Sequence, residues 1–526
     1  MSEVPANVFG PGKRWRVATL VLMALATLVV CFTFGDYGVT WDERDQREYG
    51  DEVIGWHTSM YGNAEVLDNY NRVYGGFFDV VAQLFSYTGL FDVYAARHLI
   101  GALFGLLGIL FTYRLGARLF GPMAGWFGAC FLLLTPVYYG HMFNNPKDIP
   151  FAAMCTVSLY VLVCALEELP ALSRRTLARL GIVIGLTMGI RIGGGVLLAY
   201  AAVFGLMAWT QHRRSDAEPW PVWPLVRHFG WTVLLAWAVM VLFWPWALVN
   251  PLVHPFEALT HFTSHQLGAT TLFNGQDVSA TNPPWTYLPL WFGVRLPEFY
   301  AAGLLAGAVA WFRHHPGLRL TVILVATAWL LPLVLATVMG APMYDGVRHF
   351  LFTLPPLAVL AGGGLTLWLR GCGVRWLTWT MAVAVALLMG WTSVDMVSLH
   401  PYQSVYFNRV LGDGLAGASE RFETDYWGAS YREATEWLVT HGLPGAEGPV
   451  RVANTSDSFL TEQVLVADEQ RRKRFRSVEL DDAPDVILST TRYGNHRTVD
   501  GILLHTVERQ GVGLCYVFDV RTGRNP

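Results

Sequence analysis

Three short polar runs interrupt an otherwise apolar chain, and each holds residue types suited to acid–base or phosphate chemistry. The first is Trp41-Asp42-Glu43-Arg44-Asp45. A carboxylate held beside a low-dielectric surface has its pKa raised by burial and can serve as a general base near neutral pH. The second is His141-Met142-Phe143-Asn144-Asn145-Pro146-Lys147-Asp148-Ile149-Pro150. Helix capping accounts for Asp148 ahead of Pro150, but not for Lys147, His141 and the paired Asn144 and Asn145 in the same few residues. The third is Met343-Tyr344-Asp345-Gly346-Val347-Arg348-His349. Here an exposed Asp345–Arg348 pair would stabilise little, whereas a guanidinium reserved for a phosphate oxygen would bind strongly and with fixed geometry. The bland alternative for the first run is an acidic, solvated loop: Asp36 to Asp92 carries eleven Asp and Glu against three Arg.

The elements that must position these runs are apolar helices. Of the 526 residues 53% are hydrophobic and only 15% charged, well below the roughly 25% charged of soluble domains. The charges are unevenly spread: residues 401–526 hold 32 and the first 400 hold 45. A polytopic helical membrane part followed by a small soluble α/β part is expected, with the division at 1–396 and 397–526. The net charge of −3 supplies no basic field for nucleic acid. The six Cys, without a CxxC, indicate neither a zinc site nor a disulfide framework.

A crossing helix needs about 20 apolar residues. Eleven spans are expected, near 17–35, 95–113, 119–140, 149–166, 180–190, 192–211, 229–249, 298–312, 320–340, 350–369 and 376–394. The run 180–190 is short, and a hairpin or re-entrant pair turning near Arg191 to Gly195 keeps the parity. Arg and Lys follow every even span and precede the first, which puts the N-terminus and those connections in the cytoplasm. The loop 36–94, with amphipathic helices near 52–61 and 77–87 along the interface, and the C-terminal part then lie outside. In that part 431–441 reads as a helix, 450–453, 486–489 and 515–520 as strands, and Arg471–Arg476 as a solvated face. Asn454-Thr455-Ser456 matches a glycosylation sequon by chance composition. Spans 1, 3 and 9 exit on one side, so the three polar runs share a layer at the depth of a lipid phosphate. An ion path would place its ionisable groups inside the helices; here Arg191 is the chief exception.

The Asp42-Glu43 pair after span 1, the run Ala95-Ala96-Arg97-His98 at the head of span 2, and Asn145-Pro146-Lys147-Asp148-Ile149-Pro150 before span 4 resemble the GT-C glycosyltransferases of the family 39 type. That group includes protein O-mannosyltransferases and the aminoarabinose transferases of lipid A. The segments 344–350 and 422–428 resemble a bacterial branch of it. Unlike the eukaryotic O-mannosyltransferases, the chain has no room for a β-trefoil between later spans, which puts a protein acceptor in doubt. The resemblance implies a polyprenyl-phosphate sugar as donor, the bilayer as partner, and inverting transfer to an acceptor hydroxyl of a protein, lipid or glycan. It implies Asp42 as base, with Glu43 second, and Asp148 as an acceptor ligand or an anchor for the first loop. Lys147, Arg191 and Arg348 would neutralise the leaving phosphate, with Arg97, Asn145, Tyr344, Asp345 and His349 as further donor-binding candidates. The loop 250–298 would cover the site. Asp42, Glu43 and Asp148 are the carboxylates available should Mg²⁺ or Mn²⁺ be used; cations of the protein are the alternative. Composition favours a bacterial plasma membrane. A multi-pass transporter or flippase, and a scaffolding protein, are the competing classes; inverted repeats or broken helices would favour the transporter.

Overall fold

The computed structural model describes residues 12–214, 220–264, 270–314, 319–446 and 448–521. Part of the expected covering loop, 265–269, lies outside the described residues. Among the described residues eight helices are long and apolar enough to cross a membrane, or nine if one bent pair counts as a span. The two remaining expected spans, 180–190 and 298–312, fall on shorter helices. Arg174–Met188 has 15 residues and Phe299–His314 has 16. At 1.5 Å per residue each falls short of a hydrocarbon core of about 30 Å. Both helices extend beyond the expected runs 180–190 and 298–312 at one end.

The bends in the helical part place the polar runs. Pro122–Leu133 and Pro136–Asn144 meet at 64°, because Pro136 cannot donate into the preceding turn. The second limb delivers His141 to Asn145 to the head of the next helix, Asp148–Glu168. Arg174–Met188 stops at Gly189, and a tight 3₁₀ turn over Ile192–Gly195 starts the following helix, leaving Arg191 at the corner.

The first loop is more helical than expected. Its helix begins at Trp41 and runs to Thr58, eleven residues before the expected start. The signal was present: Thr40 and Glu43 form a capping box, in which each satisfies the other's orphan backbone N–H. Asp42 thus sits on the first turn of a helix. Phe77–Ser86 forms the second helix of this loop.

The chain between 250 and 298 folds into helix His254–Ser264, a hairpin of β1 (Thr270–Phe273) and β2 (Gln276–Ser279), and helix Tyr287–Arg295. After the last span, Arg375–Leu399, the C-terminal part builds one mixed sheet. Its strands are β3 (Val450–Asn454), β4 (Phe475–Ser477), β5 (Val486–Thr490), β6 (Ile502–Arg509) and β7 (Val512–Asp519), in the order β4-β3-β5-β7-β6. β3 is parallel to both β4 and β5, whereas β7 is antiparallel to β5 and β6. Helix Tyr431–His441 packs on this sheet as its apolar spacing predicts. β4 and β6 escape sequence reading: one is three residues long, and the other carries its polar residues without strict alternation.

Candidate active site

Arg348 is the hub of the site. A left-handed pair, Asp345 (φ 55°) and Gly346 (φ 68°), turns the chain just before it. The Gly346 N–H donates to the Tyr287 hydroxyl at 3.2 Å, which ties this turn to the helix at 287–295. Arg348 is buried, and its Nε pairs with Asp345 Oδ2 at 3.0 Å. Its Nη1 lies 3.8 Å from Asp42 Oδ2 and 3.8 Å from Asp148 Oδ2. These last separations are too long for direct hydrogen bonds. The guanidinium therefore bridges two carboxylates electrostatically while its end stays available. Its flat faces lie over the rings of Tyr344 and Trp427, with centroids 5.0 and 4.9 Å away.

Asp148 is also buried, and its charge is compensated. Arg191 Nη2 lies 2.6 Å from Oδ1, and Asn145 Nδ2 donates to Oδ2 at 3.0 Å. The cap of this helix is Asn145, whose Oδ1 accepts from the Asp148 N–H at 2.8 Å and the Lys147 N–H at 3.3 Å. The capping reading of Asp148 is corrected accordingly: the amide caps, and the carboxylate holds Arg191.

Lys147 differs from the other cations. Among the described residues no carboxylate lies within 4.0 Å of its Nζ. The ammonium donates to Asn71 Oδ1 at 3.0 Å and sits 4.2 Å over the Tyr74 ring. With its amide turned, Gln46 accepts from Lys147 at 2.7 Å and donates to Asp79 Oδ2 at 3.2 Å. Burial lowers the Lys147 pKa, and Asp42 works against that shift. Tyr74 also lies 5.7 Å from the Arg191 guanidinium, so one ring from the first loop serves two cations.

Several candidates stand back from this cluster. Glu43 is fully buried and both its oxygens are taken: Oε2 by Thr40, whose N–H donates at 2.7 Å, and Oε1 by His98 Nε2 at 2.9 Å. Arg97 donates to Asp79 Oδ1 at 2.8 Å beneath the first loop. Burial lifts Asp79 to about 6 despite that partner. His349 packs edge-on against Tyr344, beside Arg348. Asp345 serves two guanidinium groups, with Arg492 Nη1 3.3 Å from its Oδ1. The carboxylate trio considered for Mg²⁺ or Mn²⁺ is not assembled: Glu43 and Asp148 use both oxygens on protein donors. Among the described residues no three His, Cys, Asp or Glu groups form a metal-sized cluster.

The C-terminal part supplies residues that sequence reading left out. Tyr426 holds His141 Nε2 at 3.0 Å, Trp427 covers Arg348, and Arg492 lies 4.4 Å over the Trp41 ring. Glu423 is buried beside Arg492 and accepts from Thr271 on the hairpin at 3.1 Å. Burial raises its pKa to about 7, with Arg492 opposing the shift. The run 422–428 was legible as a family-like segment, but nothing local in it announces contact with a loop some 280 residues earlier.

Comparison with known proteins follows the same lines. Residues 81–248, which include Arg97, Lys147, Asp148 and Arg191, match the family described as dolichyl-phosphate-mannose-protein mannosyltransferase. ArnT from Cupriavidus metallidurans bound to undecaprenyl phosphate has a similar fold, with TM-score 0.51 at 16% identity over 97% of this chain and 99% of that one. The apo state of the same protein gives the same values. The archaeal oligosaccharyltransferase AglB from Archaeoglobus fulgidus, in complex with an inhibitory peptide and a dolichol-phosphate, aligns over 91% of this chain and 69% of that one, at 12% identity and TM-score 0.49. No curated protein matches the chain in sequence. Residues 81–248 are thus similar to the dolichyl-phosphate-mannose-protein mannosyltransferase family, and the whole chain shares the fold of ArnT.

Proposed function

We propose that this protein transfers a sugar from a polyprenyl-phosphate donor to an acceptor hydroxyl, with inversion, at the outer face of a bacterial plasma membrane. The observation that carries this reading is the meeting of Asp42, Asp148 and Arg348, from three loops far apart in the chain, beside Lys147 and Arg191. A phosphate monoester or diester needs several cations near the membrane surface, and a sugar acceptor needs one base. The cluster contains both.

In this mechanism the acceptor oxygen attacks C1 of the donor sugar as the bond from C1 to the phosphate oxygen breaks. Asp42 takes the acceptor's proton. It is the one carboxylate of the cluster with a third of its side chain exposed, so a hydroxyl can reach it. The phosphate leaves onto Arg348 and Lys147, with Arg191 supporting the charge through Asp148. Preorganised cations at the place where negative charge develops are the usual main contribution to such a step. A phosphate beside Lys147 would also hold the ammonium in its charged form against the cost of burial. Asp148 acts as the anchor that keeps Arg191 and Arg348 in register. Glu43 caps the helix that carries Asp42. No step is assigned to a metal; Glu43 and Asp148 have both oxygens on protein donors.

The test is transfer from a radiolabelled polyprenyl-phosphate sugar in proteoliposomes. Loss of a positioned general base costs about 10²–10⁴-fold in rate, so Asp42→Asn should fall in that range. Asp148→Asn should lose transfer as well, by releasing both guanidinium groups. If both variants transfer at the original rate, the assignment fails. If no donor is consumed under any condition, a carrier role gains.

A further inference from the structure

The C-terminal sheet has a feature that the donor site does not explain. In the order β4-β3-β5-β7-β6, the chain leaves β3 toward β4 on one side and leaves β5 toward β7 and β6 on the other. The gap between the ends of the parallel pair β3 and β5 is therefore a topological switch point. In open α/β sheets ligands bind in the crevice outside the carboxyl ends of strands at such a point. A cavity of about 210 Å³ lies there. Its walls are Thr455 and Asp457 after β3, Arg492 and Tyr493 after β5, Tyr426, and Trp41 from the first loop.

The two strand-end loops are held in shape by their own hydrogen bonds. Asn454 Nδ2 donates to the Asp457 carbonyl at 2.8 Å, and its Oδ1 accepts from the Ser456 N–H at 2.8 Å. The sequon asparagine is thus a buried turn-former, and Thr455 and Ser456 line the cavity, with the Thr455 hydroxyl paired to Ser489 Oγ at 2.9 Å. On the other side Tyr493 (φ 55°) and Gly494 (φ 69°) both adopt left-handed backbone. An aromatic residue rarely takes that conformation, and strain of this kind collects at binding sites. Arg492 locks it: its Nη2 donates to the Tyr493 hydroxyl at 3.0 Å.

We propose that this crevice is the acceptor subsite and takes a hydroxyl-rich sugar ring, either from a glycolipid headgroup or from a free glycan. Rings of Trp41, Tyr426 and Tyr493 supply apolar faces with polar edges, and Thr455, Asp457, Arg492 and Asn495 line the same cavity; Arg44 pairs with Asp457 Oδ2 at 3.0 Å and Asn495 Nδ2 donates to the Thr455 carbonyl at 3.4 Å, so ring hydroxyls would share these groups with their protein partners. A cavity of about 210 Å³ suits a ring better than an extended peptide, which needs a long groove or a free strand edge. It also adjoins the proposed chemistry. Trp41 directly precedes Asp42, and Arg492 reaches Arg348 through their shared partner Asp345. The assignment as an acceptor subsite rests on the transferase reading above; sugar binding in the crevice does not.

The experiment is saturation-transfer NMR on the full chain in nanodiscs with methyl glucoside, methyl galactoside, methyl mannoside and methyl N-acetylglucosaminide. A serine- and threonine-containing peptide is the comparison ligand. At least one glycoside should bind, and Tyr493→Ala and Asn495→Ala should each weaken it tenfold or more without lowering the melting temperature by more than a few degrees. A hexosyl-diacylglycerol placed in the nanodisc separates the two sources: tighter binding than the free glycoside marks a glycolipid, and equal binding a free glycan. Absence of glycoside binding, binding that survives both substitutions, or Tyr493-dependent binding of the peptide alone overturns the proposal. Asp42→Asn distinguishes this from the transferase reading. Glycoside binding with no Asp42-dependent donor turnover would sink the transferase and leave the sugar crevice, whereas Asp42-dependent turnover without glycoside binding would sink the crevice alone.

Discussion

At the scale of single residues, two neighbouring carboxylates have opposite surroundings. Asp42 is partly exposed and faces Arg348, while Glu43 is buried between Thr40 and His98. Glutamine also serves at the third position of a capping box. Glu43→Gln should therefore keep transfer within about tenfold of the starting protein while Asp42→Asn loses 10²-fold or more; a reversed order would exchange their roles. Glu423 offers a test by pH. Its folded pKa is raised to about 7 by burial, so the folded state holds the proton more tightly than the unfolded chain. Stability from this group is therefore full below the ordinary glutamate range and declines as pH climbs through about 7. Glu423→Gln removes that decline. It should raise the melting temperature relative to the starting protein at pH 8 and change it little at pH 4.5, with a difference in stability on the order of 3 kcal/mol. Equal effects at both pH values would show that Glu423 does not titrate in this window.

At the scale of elements, the cluster depends on close backbone contacts that fix the first loop. A Cβ on Gly75 would clash with the Gly189 carbonyl oxygen, and the Phe77 N–H donates to that same carbonyl at 3.0 Å. This contact presses Tyr74 toward Lys147 and Arg191. Gly38 likewise meets the Ala429 carbonyl, seating the loop's start against the segment that carries Trp427. Gly75→Ala should cost about 1–3 kcal/mol, seen as a lower melting temperature, and should weaken donor binding as well. Unchanged values would show that the loop accommodates the methyl group. Much of this architecture was legible. Apolar runs located the helices, turn residues marked the corner at Arg191, and the polar runs at 41–45, 141–150 and 343–349 were recognisable as one layer. The start of the helix at Trp41 was written in Thr40 and Glu43 but masked by the acidic composition around them. The ends of the two shortest expected spans were not legible, because hydropathy records composition and not where the chain turns. The partners of Asp345 and Glu423 were hidden for another reason: Arg492 and Thr271 reach them through tertiary contact, and no local pattern encodes that distance.

At the scale of the whole molecule, the C-terminal part completes the site. It covers Arg348 with Trp427, holds His141 with Tyr426 and braces Trp41 with Arg492. Arg295 binds the connection to the bundle, donating to the Ser404 and Tyr406 carbonyls at 2.8 and 2.7 Å. The proposed function also requires this part to lie outside the cell. A cysteine placed at exposed Ile502 should react with a membrane-impermeant maleimide in intact cells, and one placed at exposed Arg174 should not. The opposite labelling would invert the topology. The central claim is that stretches remote in the chain form one phosphate site around Lys147 and Arg348. Titration of undecaprenyl phosphate into the purified protein, with Lys147→Gln and Arg348→Gln alongside, tests it most directly. The account predicts saturable binding that weakens at least tenfold in each variant; binding of equal strength in all three proteins would contradict it.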